Sequence, residues 1–136
     1  MRGGRGSGLS NSGGSMAGDR ETIGLTSAAQ EVLNELEARG WFAEGQDIAR
    51  FGLAYAIKAG VDAGNTSGTD TRWSAGNFDN TGEIRLFLRA LYPDSETPVR
   101  LMEHLVNEGL GLIAGRLSEG IGPGELMEWG LARQGR

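Results

Sequence analysis

TPVRLMEHLVNEGLGLIAGRLSEG, residues 97–120, is the stretch on which the fold turns. Thr97 suits an N-cap, and Pro98 falls at N1, where a missing N–H costs nothing. Leu101, Leu105, Gly109, Leu112 and Gly115 recur at steps of three and four along one side of a helix. Met102, Val106, Leu110, Ile113 and Leu117 widen that side. A helix apolar over so much of its circumference must be covered from more than one direction, so it is expected to be the central strut. Each interior glycine costs a helix about 1 kcal/mol. Close approach of another helix is the physical reason to keep them. Gly109, Gly111 and Gly115 are therefore candidate helix-packing or oligomer-interface residues. The run GLGLIAG has the look of a nucleotide fingerprint, but it lies in mid-helix and follows no strand. It offers no free helix N-terminus to a phosphate.

Upstream of the strut, Asn80 is expected to open a helix with Glu83 at capping-box distance. Ile84, Phe87, Leu88 and Leu91 form its core side, and Arg85 and Arg89 stand one turn apart on the other. Before it, residues 61–79 read as a long polar loop rich in turn formers, with Trp73 and Phe78 as anchors. Loops of this length are often functional or interfacial. Asp62, Asn65 and Asp70 do not keep the spacing of a calcium loop.

The N-terminal half opens with a short extended segment, TIGLT at 22–26, with Ile23 and Leu25 on one face. Ser27 is expected to cap a helix, with Gln30 three residues on. Ala29, Val32, Leu33 and Leu36 are its apolar face, and Gly40 stops it. Trp41 and Phe42 fold back over its end as core plugs. A second helix from near Asp47 to Ala59 carries apolar residues on two faces, Ile48, Phe51 and Tyr55 on one and Leu53 and Ile57 on another. Strand, helix, turn, helix is the outline of a ribbon-helix-helix unit, in which strands pair between subunits and enter the DNA major groove. The strand would offer Thr22, Gly24 and Thr26, none of which reads bases well. Gly122 and Pro123 open a short closing helix with Leu126, Met127, Trp129 and Leu131, and Arg133 and Arg136 lie near its end.

Length favours one domain: 136 residues carry a single modest core. Residues 1–20 are Gly/Ser-rich and are expected to be a disordered tail, leaving 21–136 as a single helical domain. The fold class is mainly α, with a ribbon-helix-helix-like opening unit and a long C-terminal helix. There is no cysteine, hence no disulfide frame and no thiolate chemistry. No apolar run approaches the roughly 18 residues of a membrane span, so a cytoplasmic protein is expected. The net charge is −5, with a single lysine, Lys58. That balance disfavours a broad nucleic-acid face without forbidding a local patch. Arg50, Arg72, Arg85 and Arg89 are the candidates for contact with DNA or an acidic partner, since a guanidinium grips phosphate and carboxylate with a planar fork. His104, the one histidine, lacks a nucleophile or carboxylate set and is expected to be a helix-surface or interface residue. No catalytic, cofactor-binding or metal-ligating residue is expected, and no enzyme.

Three segments carry a family likeness. They are IGLTSAAQEVLNELEARG with DIARFGLAYAIKAG, then RWSAGNFDNTGEIRLFLRAL, then LMEHLVNEGLGLIAGRL with GELMEW. Their order resembles the DndE family, small accessory proteins of DNA phosphorothioation systems. The resemblance implies a compact helical fold, self-assembly with tetramers expected, and a place beside the sulfur-modification or restriction machinery. It also implies DNA contact, which in the family is linked to lysine-rich surfaces that this acidic chain lacks. It supplies no catalytic residue. The expected function is a non-enzymatic accessory subunit of a DNA sulfur-modification or related phage-defence system that docks on larger partners. The alternative is a ribbon-helix-helix DNA-binding regulator or antitoxin-like protein.

Overall fold

The computed structural model describes residues 18–122 and 124–126. The chain runs β1 (Thr22–Leu25), α1 (Ser27–Arg39), α2 (Gly45–Ala59), β2 (Asp70–Ser74), α3 (Ala75–Phe78), α4 (Glu83–Leu91) and α5 (Pro98–Ser118). It is mainly helical, opens on a strand and two helices, and ends its main body on the long helix, as the patterning predicts. Among the described residues no helix is long and apolar enough to cross a membrane.

The strut is the centre of the molecule. α2, β1, α1 and α4 all pack on α5. Leu101, Met102, Leu105, Val106, Leu110 and Ile113 are at most 2% exposed. Side chains of this kind contribute about 1.5–3 kcal/mol each when fully buried. α2 crosses α5 at a glycine pair. A Cβ on Gly109 would stand 1.7 Å from the Gly52 carbonyl oxygen. Only a residue without a side chain at 109 allows that approach, whereas a Cβ on Gly52 would meet the Leu110 side chain at 3.2 Å. The three strut glycines thus divide. Gly109 packs α2 within the chain, whereas Gly111 and Gly115 are exposed, with nothing within 4 Å of where a Cβ would lie.

A polar pair interrupts the apolar strut one turn apart. The Glu103 carboxylate, 1% exposed, accepts from the Gly24 N–H at 2.9 Å and the Thr69 hydroxyl at 3.0 Å, and it pairs with Arg20 at 3.3 Å. Asn107 accepts from the Thr26 N–H at 2.9 Å and donates to the Gly24 carbonyl at 3.1 Å. These two side chains close the edge of β1 that faces α5. The other edge pairs antiparallel with β2 of the same chain, with a bulge between Ile23 and Gly24. A Cβ on Gly24 would meet the Asp70 carbonyl oxygen at 2.7 Å, which is why glycine stands there. Ile23 and Leu25 are buried, as expected of one face. The opposite face is not offered to a ligand: Gly24 is itself buried, and the partner strand is intramolecular instead of another subunit's.

Several boundaries differ from expectation. The polar stretch 61–79 contains β2 and α3. Asp70, Thr71, Arg72 and Ser74 are exposed, so no alternation of apolar residues announces this strand. Pairing with β1 makes it. α1 is capped by the Thr26 hydroxyl, which accepts from the Ala29 N–H, and not by Ser27. α2 begins at Gly45, two residues earlier than the apolar period suggests. α4 begins at Glu83 behind Gly82, so no capping box forms from Asn80. Thr97 makes no side-chain cap on α5. Asp19 takes that role, accepting from the Val99 and Arg100 N–H groups at 2.9 Å each. Residues 18–20, assigned to the tail on composition, therefore belong to the domain. Trp41 and Phe42 pack on the core as predicted, the Phe42 ring 5.4 Å from that of Phe51. Leu126 is buried at the chain's far end, while Met127, Trp129, Leu131, Arg133 and Arg136 lie outside the described residues.

Candidate docking surface

α4 is held in an unusual way for so short a helix. Of its nine residues only Leu88 is buried. Phe87 is 56% exposed and Leu91 45%, although the period places both on the core side; Leu86 is 68% exposed. The core holds this helix only through buried Leu88 and half-buried Ile84. A buried carboxylate does much of the rest.

Asp79, 2% exposed, accepts from the Ile84 N–H at 2.9 Å and the Arg85 N–H at 3.0 Å. It therefore satisfies two of the orphan donors of the α4 N-terminus from outside the helix. The Arg85 Nε donates to the same carboxylate at 2.9 Å, and its Nη2 to the Asp79 carbonyl at 3.0 Å. Burial by itself would raise the Asp79 pKa. The Ile84 and Arg85 backbone donors and the Arg85 guanidinium outweigh it and hold the group below its ordinary 3.8. Arg50 of α2 ties the same corner down from the other side. Its Nε donates to the Phe78 carbonyl at 3.0 Å, and its guanidinium lies 5.4 Å over the Phe78 ring. Phe78 is 1% exposed and anchors the segment, as predicted, with Trp73 5.8 Å away.

The outcome is a groove of about 730 Å³ between α2 and α4. Its walls are apolar: Leu53, Ala54 and Ile57 from α2, and Ile84, Phe87 and Leu91 from α4. Lys58 and Glu83 stand at its rim, as does Arg50. Three of the four large hydrophobic side chains that the described residues leave exposed are on α4; Leu112 on the outer face of α5 is the fourth. A contiguous apolar surface rimmed by charges marks a place where something binds.

The four arginines singled out from sequence do not form one free basic patch. Arg50 and Arg85 meet at the Phe78–Asp79 corner, but both are spent on it. Arg72 lies over the Trp73 ring and donates to Gln30 of α1. Arg89 is exposed on α4 and has no hydrogen bond or ion pair among the described residues. His104 bonds the Thr66 hydroxyl at 2.9 Å and pins the loop between α2 and β2 to the strut. Among the described residues no group of three or more His, Cys, Asp or Glu side chains is placed to hold a metal ion.

Sequence reasoning missed the residues that organise this surface. Asp79 reads as one more turn former in a polar loop. Glu103 and Asn107 carried a usable signal: two polar residues at i, i+4 on a helix with apolar neighbours on either side must find partners inside. In comparisons with family models, curated proteins and solved structures, nothing matches this chain.

Proposed function

We propose that the protein is a non-enzymatic accessory subunit of a DNA sulfur-modification or related phage-defence system, one that self-associates and docks on larger partners. The observation that supports this most directly is the α4 face. Leu86, Phe87 and Leu91 stay in water beside an apolar groove, and among the described residues only Leu112 joins them as an exposed large hydrophobic side chain. Such a surface suits a subunit whose work is binding. The system is suggested by the DndE resemblance, whose three segments span β1 to α2, β2 to α4, and α5. Cytoplasmic location follows from the same reading.

The folded chain offers DNA little to contact. Three of the four candidate arginines are engaged within the chain, and β1 is closed on both edges. The regulator reading needs a strand free to pair between subunits and to reach bases, and β1 is not placed for either.

The test is genetic and chemical. Deleting the gene in its host should remove phosphorothioate linkages from genomic DNA, measured by nuclease digestion and mass spectrometry, or should abolish restriction of unmodified DNA. Affinity purification of the tagged chain should bring down a cysteine desulfurase, an ATP pyrophosphatase or a helicase-type ATPase. Intact modification and restriction with no such partner would refute the assignment. DNA affinity that falls steeply with rising salt would revive the regulator reading.

A further inference from the structure

The apolar groove is most informative when its charges are read with its shape. Its floor and walls carry no unpaired polar side chain: Leu53 is 5% exposed, and Ile57 and Ile84 are half-buried. On one rim, α2 carries Lys58, together with Arg50, whose guanidinium is held at the Phe78 corner. On the other, α4 carries Glu83. Neither the Lys58 nor the Glu83 side chain has a hydrogen bond or ion pair among the described residues. Next to the recess stands a projection, the Leu86–Phe87 edge of α4, more than half exposed at both positions.

We infer that the groove is filled by the same surface of a second copy, in a two-fold pairing that lays α4 of each copy against the α2–α4 groove of the other. This rests on the self-association reading above and names the surface that carries it. A two-fold interface must be self-complementary, because each residue that makes a contact also receives its mirror contact. This patch meets that condition twice. A ridge lies beside a recess, so rotation sets each copy's Phe87 edge toward the other's recess. α2 and α4 run side by side in the same sense, with Arg50 beside the α4 N-terminal corner and Val61 beside Tyr92, so Lys58 and Glu83 stand on opposite sides at opposite ends of the groove, and a two-fold axis crossing it diagonally sets Lys58 of each copy toward Glu83 of the other. A nucleic acid would want a rim of one sign and would leave Glu83 opposed to phosphate. An acidic or basic peptide would match one rim and be repelled by the other. A second copy answers both signs with the residues already present. The floor supplies the apolar core of the interface and the rim its register, the usual division of such surfaces.

The full chain is tested by light scattering and analytical ultracentrifugation from low micromolar to near-millimolar concentration. Phe87→Glu should weaken association at least tenfold while leaving the far-UV spectrum and melting temperature of the monomer unchanged, since Phe87 is more than half exposed. Lys58→Glu and Glu83→Lys should each weaken it several-fold. Mixing those two single variants in equal amounts should restore association as a heterodimer, because each copy then offers the sign the other needs at both contacts. A wild-type assembly that survives Phe87→Glu unchanged would overturn this surface and leave self-association standing. Failure of the mixture to recover while both single variants are impaired would overturn the two-fold geometry. A wild-type chain that stays monomeric across the whole range would overturn the pairing and the self-association reading together.

Discussion

Gly109→Ala tests the α2–α5 crossing, on which the rest of the core depends. In an ordinary exposed helix interior this substitution stabilises by about 1 kcal/mol, because glycine loses more backbone freedom on folding. At Gly109 the new Cβ would lie 1.7 Å from the Gly52 oxygen, 2.5 Å from its carbonyl carbon and 3.1 Å from its Cα. Real Cβ contacts stop at about 3.0 Å, so the backbones must part by more than 1 Å. No side chain can swing aside, since every obstructing atom is main chain. Parting the helices loosens Val106 and Leu110, both fully buried, against α2. Overpacking of this kind costs about 1–3 kcal/mol and sometimes more, and a main-chain clash belongs at the upper end. Even after the propensity gain, a net loss of about 2 kcal/mol is expected. That is a large share of the 5–15 kcal/mol typical of a domain and about 10 °C in melting temperature. Urea denaturation followed by circular dichroism measures it, with the slope checked to stay constant. Gly111→Ala is the matched control two residues along. It meets nothing within 4 Å, so it should be neutral or stabilise by up to about 1 kcal/mol. Opposite signs at neighbouring glycines are the expected result. If Gly109→Ala proves as stable as Gly111→Ala, the close crossing is not a feature of the folded protein.

Two further outcomes are expected. Asp79→Asn should destabilise by about 2 kcal/mol at neutral pH, since an amide cannot accept the Ile84, Arg85 and guanidinium donors together. The depressed folded pKa of Asp79 means that its contribution is complete above the unfolded value of 3.8 and is lost as pH falls through the lower folded value. The gap between wild type and variant should therefore narrow below about pH 4, and urea midpoints giving a constant gap from about pH 3 to 6 would refute the role given to Asp79. Asp19→Ala should cost about 1 kcal/mol, the usual worth of an N-cap, because it removes the acceptor for the Val99 and Arg100 N–H groups. Unchanged thermal stability in that variant would return residues 18–20 to the tail.

The sequence by itself determined the four longer helices, α1, α2, α4 and α5, and their order, while the short α3 went unread inside the polar stretch. The apolar periods of 27–36, 47–59 and 97–117 admit only helix, and Gly40 and Gly60 stop the first two. It also determined that α5 must be enclosed, because its apolar circumference is too wide for one neighbour. What tertiary structure decided is everything that joins residues distant in the chain. β2 has no pattern of its own and exists through its pairing with β1. Asp19 and Asp79 cap helices that begin several residues or a whole domain's length away, and no local window can connect Asp19 with Val99. The glycines of the strut look alike in one dimension; only the path of α2 makes Gly109 indispensable and leaves Gly111 and Gly115 in water. The same holds for α4. Its period is that of a buried helix, yet a polar clamp at Asp79 and Arg50 fixes its angle, and that angle leaves Phe87 and Leu91 outside. Periodicity reports which side chains share a face, but whether anything covers that face depends on how much partner surface the fold brings to it.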